Sequence, residues 1–241
     1  MSPQTILVLG GGFAGLWSAV GAARKLDQLG VGSNNVAIVL VNRDAYHCIR
    51  VRNYEVDLRP VRVRLDDVLE PVGIQRIEGE VVDVDVQSQE VRVKLAGSAD
   101  LGTLGYDRLV FALGSELNRP NIPGLAEHGF DVDTYGGAAR LNAHLQALPT
   151  QPDSPGQYTV VVVGAGLTGI EAATEMPGKM QPILAKAQAT RPFRVILADH
   201  KPTDSPDTSS LVWDVSTNWS FSMSSVNMTQ FVTLKDYLPY A

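Results

Sequence analysis

Cysteine is almost missing from this chain: Cys48 is the only one in 241 residues. One thiol forms no intramolecular disulfide, which fits a reducing compartment. It also excludes electron transfer through a paired dithiol, unless a partner supplies the second sulfur. Cys48 itself reads as a small buried apolar residue, with a reactive thiol as the other reading. Long hydrophobic runs are missing as well. None reaches the roughly 18 residues of a membrane-spanning helix. No basic stretch with an apolar core behind it marks a secretion signal at the start, so the expected compartment is the cytoplasm. Basic charge is in short supply, with 20 Lys and Arg against 26 Asp and Glu and a net charge of −6. Without a clustered basic face, nucleic acid is not an expected partner. What is present is an ordinary apolar fraction of 44%, enough for one large domain or two small ones.

Two stretches share one grammar. Residues 5–19 read TILVLGGGFAGLWSA and residues 159–173 read TVVVVGAGLTGIEAA. Each is an apolar strand, a G-x-G-x-x-G turn and the start of a helix. In the first, Gly10 permits the tight turn, Gly12 lets backbone approach a pyrophosphate, and Gly15 lets helix pack on strand. A helix over about 13–26 follows, with Leu16, Val20 and Ala23 on one face, and then a second strand at 36–41, VAIVLV. The helix start offers free N–H groups and partial positive charge to phosphates. A glycine turn that merely packs is the other reading, and the strand–turn–helix–strand context weighs against it. In the second stretch Gly164, Gly166 and Gly169 repeat the pattern. A helix from about 168 is expected to break near Pro177, and a strand at 193–198 ends at Asp199.

The residue that closes each second strand matters for a ribose. Asp199 suits a 2′-hydroxyl and would repel a 2′-phosphate, favouring NADH over NADPH, although His200 and Lys201 follow it. It stands about 30 positions after Gly169, a long spacing that implies extra residues in the helix or its loop. At the end of 36–41 the chain has Asn42 and Arg43 instead of an acid. Asn42 can still accept one hydrogen bond through its carbonyl oxygen.

Between the two units the signals are mixed. Residues 43–60, RDAYHCIRVRNYEVDLRP, have no period and gather His47, Arg50, Arg52, Asn53 and Tyr54. They read either as a solvated connector or as a loop lining a cofactor. Residues 80–86 and 91–95 alternate around a turn and predict a β-hairpin. Residues 106–114, YDRLVFALG, predict a buried strand. Residues 118–124, NRPNIPG, read as a crossover linker, followed by a helix over about 137–148. The expected fold class is α/β, with two Rossmann-like dinucleotide-binding units and a small antiparallel β-hairpin insertion.

VLGGGFAG, YDRLVFALGS at 106–115, IPGL at 122–125 and VVVGAGLTGIEAA at 161–173, in this order, resemble the FAD-dependent pyridine nucleotide-disulfide oxidoreductases. Among these the chain is most similar to type II NADH dehydrogenases, the NADH:quinone oxidoreductases. AYHCIRVRNY is similar to their connector between ribose-binding strand and flavin. The resemblance spans about 5–200. It implies FAD in residues 1–118, a crossover linker and helix in 119–157, and NAD(H) in 158–202. Gly10, Gly12, Phe13, Ala14 and Gly15 would hold the FAD pyrophosphate, with Asn42 and Arg43 near its ribose and Arg52 on the connector. Val81 would meet the adenine, and Ala112 and Gly114 would lie by the FAD, with Leu113 where the family usually has Thr. Gly164, Gly166, Leu167, Thr168, Gly169 and Asp199 would hold NAD(H). Glu171 matches a family glutamate that helps deliver protons at the nicotinamide and quinone end. Its other reading is a carboxylate stabilised by the helix dipole. No metal is implied. The resemblance implies a hydride passing from NADH to flavin N5, a quinone or similar acceptor, and peripheral contact with the inner face of a membrane in full-length members. It leaves room for a homodimer.

Residues 203–241 depart from the family. They are rich in Ser and Thr, contain no Gly and no Arg, and hold Trp213 and Trp219. Strands at 215–223 and 230–234 are candidates there, and the glycosylation matches at Asn218 and Asn227 carry no meaning without a secretion signal. The return to the FAD domain and a C-terminal domain are not visible, so the expectation is a truncated reductase. Two other functions stay open: a catalytically impaired dinucleotide-binding fragment, and a non-flavin NAD(P)-dependent dehydrogenase. The hairpin and the 106–115 strand argue against the last.

Overall fold

The structure, a computed structural model, describes residues 3–98, 100–199 and the backbone of 211–214. Its contacts divide the chain into two units, Met1–Arg50 with Arg59–Pro120, and Val51–Leu58 with Asn121–Ala241.

In the first unit β1 (Gln4–Leu9) leads through the glycine turn into α1 (Phe13–Gln28) and back to β2 (Val36–Asn42). The two strands pair in parallel, with Leu7 opposite Val39 and Leu9 opposite Val41. Successive side chains point to opposite faces of a strand. Val8, Ile38 and Leu40 therefore pack beneath α1 with Ala19, Leu65 and Leu69, and the expected Leu16, Val20 and Ala23 join them. Leu7, Leu9, Val39 and Val41 meet Val91 and Val93 on the other face. Cover on both faces is why these strands read as unbroken apolar runs. Fully burying a side chain such as Leu40 stabilises the unit by roughly 2 kcal/mol.

The stretch without a period contains β3 (Tyr46–Cys48), which pairs antiparallel with β4 (Arg62–Arg64), and α2 (Leu65–Leu69) follows. Cys48 is only partly buried. Then β5 (Gln75–Asp85) does two jobs. Its first residues pair in parallel with β2, Val39 opposite Gln75 through Asn42 opposite Glu78. From Gly79 onward it pairs antiparallel with β6 (Glu90–Leu95). The expected hairpin is thus continuous with the main sheet, and β7 (Leu101–Gly105) adds a further antiparallel strand. β8 (Arg108–Phe111) pairs in parallel with β1 and completes the order β7-β6-β5-β2-β1-β8. It is shorter than the expected 106–114 and, at the edge of the sheet among the described residues, is not buried: Phe111 is exposed and 112–114 lie past its end.

The second unit holds α3 (Leu125–His128) and α4 (Tyr135–Ala147), the latter capped by Thr134, whose hydroxyl oxygen accepts from the Gly137 N–H at 2.9 Å. β9 (Thr159–Val163), α5 (Leu167–Ala187) and β10 (Arg194–Asp199) form the second strand–helix–strand, with β9 and β10 parallel. β11 (Leu211–Asp214) pairs antiparallel with β10. The predicted break at Pro177 does not occur. α5 runs through Pro177 and Pro182 because Ala173, Met176, Met180, Ile183 and Leu184 bury one face against Val195 and Leu197, and packing outweighs local propensity. This long helix accounts for the spacing between Gly169 and Asp199. The candidate strands at 215–223 and 230–234 lie outside the described residues. Among the described residues no helix is long and apolar enough to cross a membrane.

Candidate functional site: two glycine-loop cradles

The two turns share the same backbone geometry. Gly10 and Gly164 carry φ of +99° and +101°, a region that favours glycine. Gly10 N–H donates to Val41 O at 2.8 Å, and Gly164 N–H donates to Ala198 O at 2.7 Å. A Cβ on Gly15 would stand 1.8 Å from Gly10 O, and one on Gly169 would stand 1.8 Å from Gly164 O. Both helices therefore need glycine to close onto their own loop. At Gly12 and Gly166, the residues just before α1 and α5, a Cβ would meet nothing within 4 Å among the described residues. Neither position carries a side-chain cap, and neither helix has an acid in its first turn. Each helix thus presents uncapped N–H groups to open space, an arrangement that fits a pyrophosphate.

The residue ending each second strand is tied to its loop in the same way. Asn42 Oδ1 accepts from Gly11 N–H at 2.8 Å, and Asp199 Oδ2 accepts from Ala165 N–H at 3.0 Å. The oxygen of Asn42 that was expected to meet a ribose thus also holds the turn, and it keeps a second lone pair. Its amide N–H groups donate to Asp44 O at 3.0 Å and Tyr46 O at 3.3 Å. The other end of the Gly11 peptide is held by buried His47, whose Nδ1 lies 2.8 Å from Gly11 O. Since a carbonyl only accepts, Nδ1 carries the proton. The His47 ring packs edge-on against Phe13 at 4.7 Å. Sequence reasoning grouped His47 with the connector and did not reveal this role.

The remaining expected residues fall into distinct places. Arg43 lines an open cleft of about 430 Å3 with Asp44, Glu80 and Lys94, between the end of β2 and the β5–β6 ladder. Val81 stands opposite Val93 beside a register shift in that ladder. Ala112 follows β8, and its carbonyl oxygen lies 2.3 Å from where a Gly10 Cβ would be. Gly114 has φ +78°, and next to it Ser115 accepts from Arg50 Nη1 through its carbonyl oxygen at 2.9 Å. Ala14 and Gly15 sit in the first turn of α1, Leu167, Thr168 and Gly169 in that of α5. Arg52 lies in the second unit, where its Nε and Nη2 donate to the two carboxylate oxygens of Glu55. That pairing holds the Glu55 carboxyl below its usual range. Glu171 is half-buried on α5. Tyr54 has its phenol pushed up, first by burial and then by the carboxylates of Glu171, Glu55 and Glu175. Among the described residues no group of His, Cys, Asp and Glu is placed to hold a metal.

Two parallel-stranded units, each with an uncapped glycine loop, define a dinucleotide-binding oxidoreductase fold. The chain belongs to the pyridine nucleotide-disulphide oxidoreductase family, which matches residues 4–196. It is 49% identical over 197 residues to an NADH dehydrogenase-like protein of Mycobacterium tuberculosis, covering 82% of this chain and 48% of that one. It is 32% identical over 186 residues to the demethylphylloquinone reductase of Synechocystis, covering 73% of this chain and 43% of that one. The chain thus spans about half the length of these relatives. In fold it is similar to NDH2 of Plasmodium falciparum in complex with NADH, with a TM-score of 0.62 at 18% identity, covering 77% of this chain and 39% of that one.

Proposed function

We propose that the first unit holds FAD, the second holds NADH, and the protein oxidises NADH and passes the electrons to a quinone or similar acceptor. The observation that carries this reading is the repeated cradle: the same turn, the same close glycine contact and the same strand-end tie occur twice in one chain. When bound, a flavin supplies two-electron chemistry, accepting a hydride from a nicotinamide and giving up its electrons to an acceptor. The chain's own residues bind and orient. The N–H groups at the starts of α1 and α5 receive the pyrophosphates. Gly10, Gly15 and Ala112 keep the first turn closed, and Asn42 and His47 fix the Gly11 peptide from both ends. Arg43 and Val81 border the place of the adenosine half of FAD. Asp199, held against the second loop, favours a ribose hydroxyl over a 2′-phosphate, hence NADH. Glu171 holds or moves a proton in the acceptor half-reaction. Relatives named for NADH and quinone chemistry support the choice of donor and acceptor. The cytoplasm is where we place the reaction.

Titration with NADH and NADPH tests this reading. NADH binds more tightly to the protein as it stands, and Asp199→Ser narrows the preference by tenfold or more, about 1.4 kcal/mol. Equal affinity for both nucleotides in the unaltered protein would contradict the assignment of Asp199.

A further inference from the structure

Lys179 is buried, only 6% exposed, on the face of α5 that also carries Glu171 and Glu175, one helical turn apart in succession. Its ammonium donates to Glu55 O at 2.6 Å and to Asn142 Oδ1 of α4 at 2.7 Å. A buried ammonium is costly, and neither acceptor is a carboxylate. Burial accordingly pushes the Lys179 pKa down, with Glu175 pulling the other way. The 51–58 segment has other anchors on the same unit. Fully buried Asn53 donates to Asp133 O at 3.3 Å, and Val56 Cγ2 lies 3.3 Å from where a Gly178 Cβ would sit. A bare glycine beneath Val56 and a cation beneath Glu55 O seat this segment directly on α5.

We propose that Lys179 is a positioning residue, whose ammonium clamps the 54–55 backbone onto α5 and α4 and so fixes Tyr54 within electrostatic reach of Glu171. This deepens, and rests on, the reading of Glu171 as the proton-handling group. An apolar side chain of similar length would fill the same space without supplying two bonds, so a purely space-filling role predicts little change on Lys179→Met. A clamp predicts that Tyr54 moves away from the carboxylates.

The charged groups around Tyr54 are Glu171 and Glu175 on α5 and Arg52 and Glu55 on its own segment. The test is NMR of the full chain with ring-labelled tyrosine, the Tyr54 signal being assigned with Tyr54→Phe. In Lys179→Met the Tyr54 signal shifts and its titration midpoint falls back toward that of an ordinary tyrosine, while the other tyrosines stay put. Lys179→Arg, which can still donate to both acceptors, restores most of the original midpoint. If Lys179→Met does not fold, Asn142→Ala gives the reading, with a smaller shift in the same direction. A folded Lys179→Met or Asn142→Ala with an unaltered Tyr54 signal and midpoint overturns the proposal. In NADH-dependent quinone reduction the clamp predicts kcat down about tenfold in Lys179→Met with KM for NADH unchanged. Failure of the unaltered protein to reduce quinone would sink the Glu171 reading and leave the Tyr54 result standing on its own.

Discussion

Gly166 and Gly169 lie in one loop and answer different demands. Gly169 has no room for a Cβ, because Gly164 O would be 1.8 Å away; a Cβ on Gly166 would meet nothing within 4 Å among the described residues. Gly169→Ala therefore pushes α5 off its own loop and is expected to cost about 1–3 kcal/mol or more. Gly166→Ala should leave the melting temperature nearly unchanged, within about 1 kcal/mol. Yet its methyl group fills the space where a pyrophosphate would lie, so NADH affinity falls. Thermal melts beside NADH titrations separate the two, and a Gly166→Ala protein that binds NADH normally would contradict the cradle. The glycine roles were legible because spacing alone implies them. Asn42 was half legible. Its type and position were plain, but three neighbours from 11, 44 and 46 claim its amide, and those contacts exist only in the folded chain. Lys179 gave no signal, since a lysine in an amphipathic helix ordinarily reads as solvated.

At the scale of elements, α5 is the informative case. Two prolines inside a helix each remove a backbone hydrogen bond and crowd the preceding turn. Pro177 is buried, so its ring also packs; Pro182 is exposed and contributes only the cost. Pro182→Ala is expected to stabilise the protein by roughly 2 kcal/mol, the helix gain of about 3 being offset by a looser unfolded chain. No rise in melting temperature would mean that α5 is bent there to meet its neighbours. The sequence pattern suggested a break because local preference opposes the helix, and only the buried face facing Val195 and Leu197 reverses it. β7 escaped notice for a related reason: LGTLG is poor in strand-forming residues, and its place is set by pairing with β6. Between α2 and β5, Arg76 donates to Asp66 at 3.1 Å and through a second, shorter contact, and to Glu78 at 2.9 Å. Arg76, with further help from Arg64, holds the Asp66 carboxyl below its usual range. The folded state thus binds fewer protons than the unfolded one. This stabilisation is present above about pH 4 and is lost as pH falls through the lowered folded value. Asp66→Asn should flatten the acid limb of a melting-temperature profile below about pH 4. An unchanged acid limb would show that other carboxylates set it.

For the whole molecule, the sequence revealed that one architecture is used twice, because the strand–glycine–helix pattern is local and needs no knowledge of distant contacts. It could not reveal that 51–58 belongs with the second unit while its flanks belong with the first. That assignment rests on Lys179, Asn53 and Val56, each meeting a partner remote in the chain. Nor did it reveal the asymmetry between the cradles. β1 is flanked by β2 and β8, whose end covers Gly10, whereas among the described residues β9 is the last strand of its sheet, with Val161 and Val163 exposed. The central claim is nevertheless about both cradles together, and one measurement addresses it most directly. The visible absorbance of the purified protein, after reconstitution with excess FAD and removal of the free flavin, is recorded before and after NADH is added without oxygen. The account predicts a retained flavin band that bleaches on NADH and does so much less readily on NADPH. A protein that stays colourless after reconstitution, or a flavin band that NADH leaves untouched, would contradict it.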